Sequence, residues 1–386
     1  MPMPVSIVNL PAPVLTDILL LTVAPHFDLK TRELALLAPL CHALAEPARE
    51  ASLYAVEPGA ALSRELARDT SISRWFRTII LHPPGRLRSL ASEADMAAHD
   101  ALVRHWRRQV AVVLGNVGGA RHLVFDGDPA ALDLPTIETL RQGAWPTVTL
   151  RLRNPVHPEL REDSLVPALF LALSPSARSL TITNFHSFRR PKIELPAAQW
   201  TQLRRLTVHK LDRDILAEIV AGAHQLEAID TDDLVGAGFV SEERSWREVV
   251  VHFKEEAPYP GMSTVAKMGA LGGLTLLECV FVDQLMPSLI MDGVPIGLHT
   301  LRLRLACLDH LVLCAGLLFL ALHPSRWPDA RLPRVIEIVY TAYRRGDDHY
   351  DPFAPVRRCM DVNLLPLRES CATRGVHLDI IFNGLG

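Results

Sequence analysis

The chain has 386 residues, a formal net charge of −3, 49% hydrophobic residues and 22% charged residues. That length exceeds one ordinary globular core, leaving two or three domains or one elongated repeat array, and the apolar content excludes a disordered tail. The near-neutral charge argues against bulk electrostatic attraction to nucleic acid or to an anionic membrane.

In chain order, the first element is helical. Leu10-Pro11 leads into Val14, Leu15, Ile18 and Leu19, which share one helix face, with Pro13 at a first-turn position where its missing N–H costs nothing. No Lys or Arg precedes the apolar Ile18 to Leu21 stretch, and Asp17 borders it, so no signal peptide is expected. A polar loop with Pro25, Asp28 and Lys30 ends this helix. A second apolar stretch follows through Leu34, Leu36, Leu37, Leu40, Cys41 and Leu44, and Pro47 starts a third segment, Ala48 to Val56. Three short helices in about 45 residues bury too little surface to stand alone, so this unit needs the rest of the chain or a partner.

The order Leu10-Pro11, Val14-Leu15, Ile18-Leu19, then Leu37-Ala38-Pro39-Leu40-Cys41-His42-Ala43-Leu44, resembles an F-box. Leu53-Tyr54 is similar to the Leu-Tyr segment that follows the F-box in many fungal members, and Ile72 to Ile79 looks like the lead into their first repeat strand. Leu44 stands where the family commonly has Trp, and Pro39 lies within a stretch that is helical in the family. The resemblance implies that Leu10, Pro11, Val14, Leu15, Ile18, Leu19, Leu37, Leu40 and Leu44 form the surface covered by a Skp-family adaptor. It further implies a substrate-recognition subunit of a Skp–cullin–F-box ubiquitin ligase. The alternative for this unit is a plain helical cap on a repeat array.

Beyond residue 115 a short strand signature of alternating apolar residues recurs. Clear copies are Leu123-Val124-Phe125, Leu150-Arg151-Leu152, Leu180-Thr181-Ile182, Leu206-Thr207-Val208 and Leu301-Arg302-Leu303. Weaker copies begin at Leu226, Val249, Leu274, Ile336 and Leu378. Most steps between copies match a leucine-rich-repeat period, and the last two contain insertions. Asp212 to Ala223 and the uncharged run Leu311 to Leu322 read as intervening helices, the second buried and too short to span a bilayer. Each strand-plus-helix unit has an apolar face that only a stacked neighbour covers. A doubly wound sheet is the other architecture with such alternation.

Alternation puts residues i and i+2 of a strand on the same face. With the leucines inward, Arg151, Arg153, Thr181, Thr183, Thr207, His209, His252, Arg302 and Arg304 fall on the opposite face. Among them Arg151, Arg153, His209, His252, Arg302 and Arg304 are the candidate target-binding residues, with arginines suited to a carboxylate or phosphate.

No catalytic constellation is legible: GxSxG, P-loop and HExxH motifs are absent. The six cysteines form no CxxC pair and read as buried free thiols. Asp347, Asp348, His349 and Asp351 read as a solvated loop rather than a metal site, and Asp230, Asp232 and Asp233 as turn and cap residues. Arg104 to Arg108, interrupted by Trp106, reads as a solvated helix face.

The expected molecule is therefore α/β: an F-box-like helical domain over residues 1–57, then an irregular leucine-rich-repeat-like solenoid with a parallel sheet over residues 58–386. It is expected to be non-enzymatic, free of cofactor and metal, cytoplasmic or nuclear, and to contact an adaptor, its cullin ligase and a protein target of unknown identity, but neither nucleic acid nor membrane. A repeat scaffold with no ligase connection is the alternative.

Overall fold

The computed structural model describes residues 15, 53–85, 92–116, 118–152, 165–185, 200–211, 213–232, 246–253, 274–281, 294–305, 308–342 and 364–384. Outside them lie Leu10, Pro11, Val14, Ile18, Leu19, Leu37, Leu40 and Leu44 of the F-box-like segment, together with Arg153, Asp233, Asp347, Asp348, His349 and Asp351. Two compact units are present, Met1–Gln202 and Leu203–Gly386. The fold is α/β.

In the first unit the strands are β1 (Ala55–Val56), β2 (Thr78–Leu81), β3 (His122–Gly127), β4 (Thr147–Leu152) and β5 (Ser179–Phe185). Between them lie helices α1 (Ala60–Arg68), α2 (Glu93–Gly115), α3 (Leu134–Gln142) and α4 (Val166–Leu173). Each strand pairs in parallel with the next one in sequence. The register aligns Val56, Ile79, Leu123, Val148 and Leu180 in one row. Leu81, Phe125, Leu150 and Ile182 form the next row, and all four are 0% exposed.

The second unit repeats the plan with β6 (Arg205–Leu211), β7 (Ala228–Thr231), β8 (Glu248–Phe253), β9 (Leu276–Phe281), β10 (Thr300–Leu305), β11 (Val335–Ala342) and β12 (His377–Gly384). Helices α5 (Arg213–Gly222), α6 (Leu308–Ala321) and α7 (Leu365–Thr373) fill some of the connections. Again every pairing is parallel and between chain neighbours. One buried row runs Leu206, Ile229, Val249, Leu277, Leu301 and Ile336. The row beside it is Val208, Thr231, Val251, Cys279, Leu303 and Ile338.

Local chemistry explains the helix boundaries. Ser92 and Asp95 form a reciprocal capping box at the start of α2, which satisfies two backbone donors that the helix itself cannot. The Asp95 carboxyl titrates below its usual range because the Ser92 hydroxyl, then the Ser92 backbone N–H, donates to it. Asp133 caps α3 by accepting from the Thr136 N–H. That helix ends at Gly143, where a Cβ would stand 2.5 Å from the Trp145 ring nitrogen; the same nitrogen donates to the Leu140 carbonyl at 2.8 Å. Gly127 closes β3 under similar constraint, since a Cβ there would meet Pro83 Cγ at 2.3 Å.

Several expectations shift. Ala55–Val56, assigned to a third helix, is strand β1. Leu226 and Leu274 are buried but precede their strands, whose inward residues start at Ile229 and Leu277. Val148, not Leu150, is the register partner of Leu123 and Leu180. The apolar helix read from Leu311 to Leu322 spans Leu308–Ala321 and is not buried all round. Leu311, Cys314 and Leu318 are buried, whereas Leu313, Phe319 and Leu320 are 50%, 47% and 57% exposed. A helix resting on a sheet covers one side only, however apolar its other side is. The Arg104 to Arg108 run is on α2, but Trp106 is buried, and Arg107 donates to the carbonyls of Ala131 (2.7 Å) and Leu132 (3.0 Å). Among the described residues no helix is long and apolar enough to cross a membrane.

Because Leu180 is 0% and Leu303 1% exposed, replacing either with Ala should cost about 2–5 kcal/mol by urea unfolding. Arg151→Ala, on the opposite face with a side chain 59% exposed, should cost less than about 1 kcal/mol. Similar losses from both faces would contradict the register.

Candidate functional site

With one face of each strand committed to the core, the chemistry of the sheet lies on the alternate residues. In the first unit these include Thr147, Thr149, Thr181 and Thr183, all half-buried, and the exposed Arg151. His122 shares a hydrogen bond of 3.0 Å with the Thr149 hydroxyl. Its imidazole titrates below its usual value, first because burial penalises the cation and second because Arg151 is positive. Asp126 lies 3.6 Å from Arg151 and 3.2 Å from His82, whose other ring nitrogen is 3.4 Å from Glu57.

In the second unit the same face carries a balanced network of charges. Register places Glu278 and Glu337 on either side of Arg302. The Arg302 guanidinium donates to Glu337 at 2.5 Å and to Glu278 at 3.1 Å, while Arg304 donates to the other Glu278 oxygen at 2.9 Å. The Glu278 side chain is only 7% exposed, so these two arginines stand in for the water that its carboxylate gives up. The hydrogen bond that Arg302 donates to Glu337 holds its guanidinium above the ordinary pKa against the opposing effect of burial, with the weaker help of the bond it donates to Glu278. Farther along, Arg205 reaches across the small Ala228 to Glu248 at 2.6 Å, two strands away.

Three adjacent strands also bring His209 (β6), Asp230 (β7) and His252 (β8) together. The Asp230 Oδ1 lies 2.8 Å from His252 Nε2 and 3.6 Å from His209 Nε2. The two rings meet edge-on, with centroids 4.6 Å apart and planes at 78°. Asp230 Oδ1 and His252 Nε2 are sealed from solvent, and neither makes a hydrogen bond although they lie 2.8 Å apart. Next to this group Lys210 adopts a left-handed φ of 55°, an unusual state for a side-chain-bearing residue. Its N–H donates to both Asp232 carboxylate oxygens at 3.1 Å.

Of the residues read from the sequence as target-binding, Arg151 points out largely exposed, and His209 and His252 face each other around Asp230. Arg302 and Arg304 are engaged with glutamates of their own sheet, and Arg153 is outside the described residues. Asp232 accepts from the backbone of Lys210 in β6, and Asp230 is a strand residue between two histidines rather than a turn residue. The sequence reading missed Glu278, Glu337 and Asp230 as parts of this face; alternation from Leu277, Ile336 and Ile229 is the signal that places them. Cys279, Cys314 and Cys371 are buried and free. Burial drives the Cys279 thiol strongly upward, Cys314 to about 12 and Cys371 to about 11, so these sulfurs stay protonated and unreactive at neutral pH.

The charge network generates an asymmetric expectation. Arg302→Ala leaves Glu278 and Glu337 facing one another across β10, with Arg304 as the remaining partner of Glu278. With Arg302 31% exposed, the loss should sit near the lower end of that for a broken buried pair, about 2–3 kcal/mol. Arg304→Ala leaves Glu278 bonded to Arg302 and should cost about 1 kcal/mol or less. Urea unfolding of both variants measures the difference, and equal losses would contradict it.

His122 supplies a pH test. Its folded-state pKa lies below the ordinary imidazole value of about 6.5, so on acidification the unfolded chain takes up the proton first. Stability from this residue is full above the unfolded pKa and falls as pH drops through it, levelling off below the folded pKa. Between about pH 7.5 and about pH 5, His122→Gln should therefore lose less unfolding free energy than the unaltered protein. Equal losses would remove His122 from the titration.

In comparisons with known proteins, no family model matches the chain and no curated protein matches it.

Proposed function

We propose that this protein is the substrate-recognition subunit of a Skp–cullin–F-box ubiquitin ligase. Residues 1–57 would dock the adaptor, and residues 58–386, read as a leucine-rich-repeat-like solenoid, would hold the protein target. The observation that carries the receptor half of this reading is strand order. In each unit every described strand is bonded in parallel to its chain neighbour, with apolar rows on one face and, on the other, rows that mix charged and hydroxyl residues with aliphatic ones. Such a sheet offers a continuous face for a macromolecule. The adaptor half rests on the resemblance of Leu10 to Leu44 to an F-box. In this role the chain performs no bond chemistry, and its contribution is the effective concentration of target beside the ligase.

Within the polar face, Arg151 is the arginine best suited to an acidic or phosphorylated target segment, because its side chain is 59% exposed and its ion pair with Asp126 is long, 3.6 Å. Arg302 and Arg304 would instead shape the face by holding Glu278 and Glu337 in place.

One observation favours a second reading. Leu15 is 2% exposed within this chain alone, as a helical cap on the body would require, so a scaffold without a ligase connection is retained as the alternative.

The two separate on co-purification of the full chain with a Skp-family adaptor. A charge at Leu15 would act on folding, so the variant is Ile18→Asp with Leu40→Asp, checked by circular dichroism and thermal unfolding. The ligase reading expects the unaltered chain to retain adaptor and the double variant to lose it while its melting profile is kept. Absence of adaptor from the unaltered chain, or equal retention by a folded double variant, would leave the scaffold reading.

A further inference from the structure

We propose that His209, Asp230 and His252 form a binding site for one divalent transition-metal ion, of the zinc class, on the polar face of β6, β7 and β8. The inference stands independently of the ligase reading.

Three kinds of observation converge. The first is donor chemistry: two imidazoles and one carboxylate suit zinc and its neighbours, whereas calcium and magnesium take oxygen donors. The second is spacing. Metal–ligand bonds of about 2.0–2.2 Å in a tetrahedron separate ligand atoms by about 3.3–3.5 Å. Here the carboxylate oxygen stands 2.8 Å and 3.6 Å from the two imidazole nitrogens, and one ligand atom from each residue falls within 4.8 Å of the others. Small side-chain rotations therefore complete the triangle without moving the strands. The third is orphaned polarity. Asp230 Oδ1 and His252 Nε2 are sealed from solvent without a hydrogen-bond partner, a costly state that a shared cation relieves.

The alternative explanation is a plain carboxylate–imidazole pair. It accounts for one short contact, but not for a 2.8 Å approach in which neither atom makes a hydrogen bond. Nor does it explain a second imidazole, edge-on to the first, whose Nε2 stands 3.6 Å from the same carboxylate oxygen.

The fold supplies rigidity. Asp230 pairs in register with Thr207 and Val250, and each histidine sits two residues farther along its strand, at His209 and His252. The three donors thus come from three hydrogen-bonded strands and from one face. Asp232 is held back by the Lys210 N–H, which leaves the remaining coordination position to water or to a partner's side chain.

The test uses the untagged full chain, stripped with a chelator and dialysed against zinc chloride. One zinc per chain is expected, with affinity reduced at least about a hundredfold, beyond what an outer-shell loss costs, in His209→Ala and in Asp230→Asn. A His349→Ala/Asp351→Asn variant should retain it. In the unaltered chain zinc should protect His209 and His252, out of all histidines, from diethylpyrocarbonate, as read by peptide mass mapping. Cobalt should give an absorption spectrum distinct from that of cobalt in buffer, bleached by zinc and not by magnesium. Labelling of His209 and His252 that zinc leaves unchanged overturns the proposal whether or not the variants fold. So does zinc uptake that survives Asp230→Asn in a folded chain.

Discussion

Parallel register imposes one condition on everything else in this molecule: what stands at a given position of one strand stands about 4.8 Å from its counterpart on the next. A leucine at position 206 is stable there because Ile229 follows, then Val249, Leu277 and Leu301. No single strand-plus-helix segment can cover its own apolar side, so the rows are a collective property of neighbours. The condition applies equally to the other face. Charges there are aligned as strictly as leucines, and like charges on adjacent strands would repel. The alternation of Glu278, Arg302 and Glu337 across β9, β10 and β11 resolves that difficulty with near-buried carboxylates. Ala228 resolves it differently, by being too small to separate Arg205 from Glu248.

How far such a molecule can be read from its sequence depends on which of these rows is involved. The Leu-x-Leu pairs at 150/152 and 301/303 declare both their strand and its inward face, because period-two alternation has no other use in so short a span. Pattern alone fails where apolar residues also occupy the approach to a strand. Leu226 and Leu274 are as buried as the strand residues after them, so alternation counted from them begins too early. It fails again for β1, where two residues carry no period at all.

The polar face was legible only by inference from the apolar one. Arg302 and Arg304 announce themselves between leucines, but their partners Glu278 and Glu337 lie in other strands, and nothing local in the sequence ties them together. His209, Asp230 and His252 are separated in the same way. Their convergence depends on the relative register of three strands, a quantity set by connection lengths and packing rather than by composition.

Strand order has a further consequence for how the chain acquires its shape during synthesis. Within each unit a new strand needs only the strand made immediately before it as template, so pairing can advance from the N-terminal side as residues leave the ribosome, without waiting for distant segments. The waiting time for each step is set by its own connection. Ile79 to Leu123 and Ile336 to Leu378 are the long intervals in which a finished strand has an open edge. An exposed edge is a template for the wrong chain as well as the right one. Nascent-chain misassembly should therefore concentrate at those two pauses, with β2 and β11 as the strands left waiting.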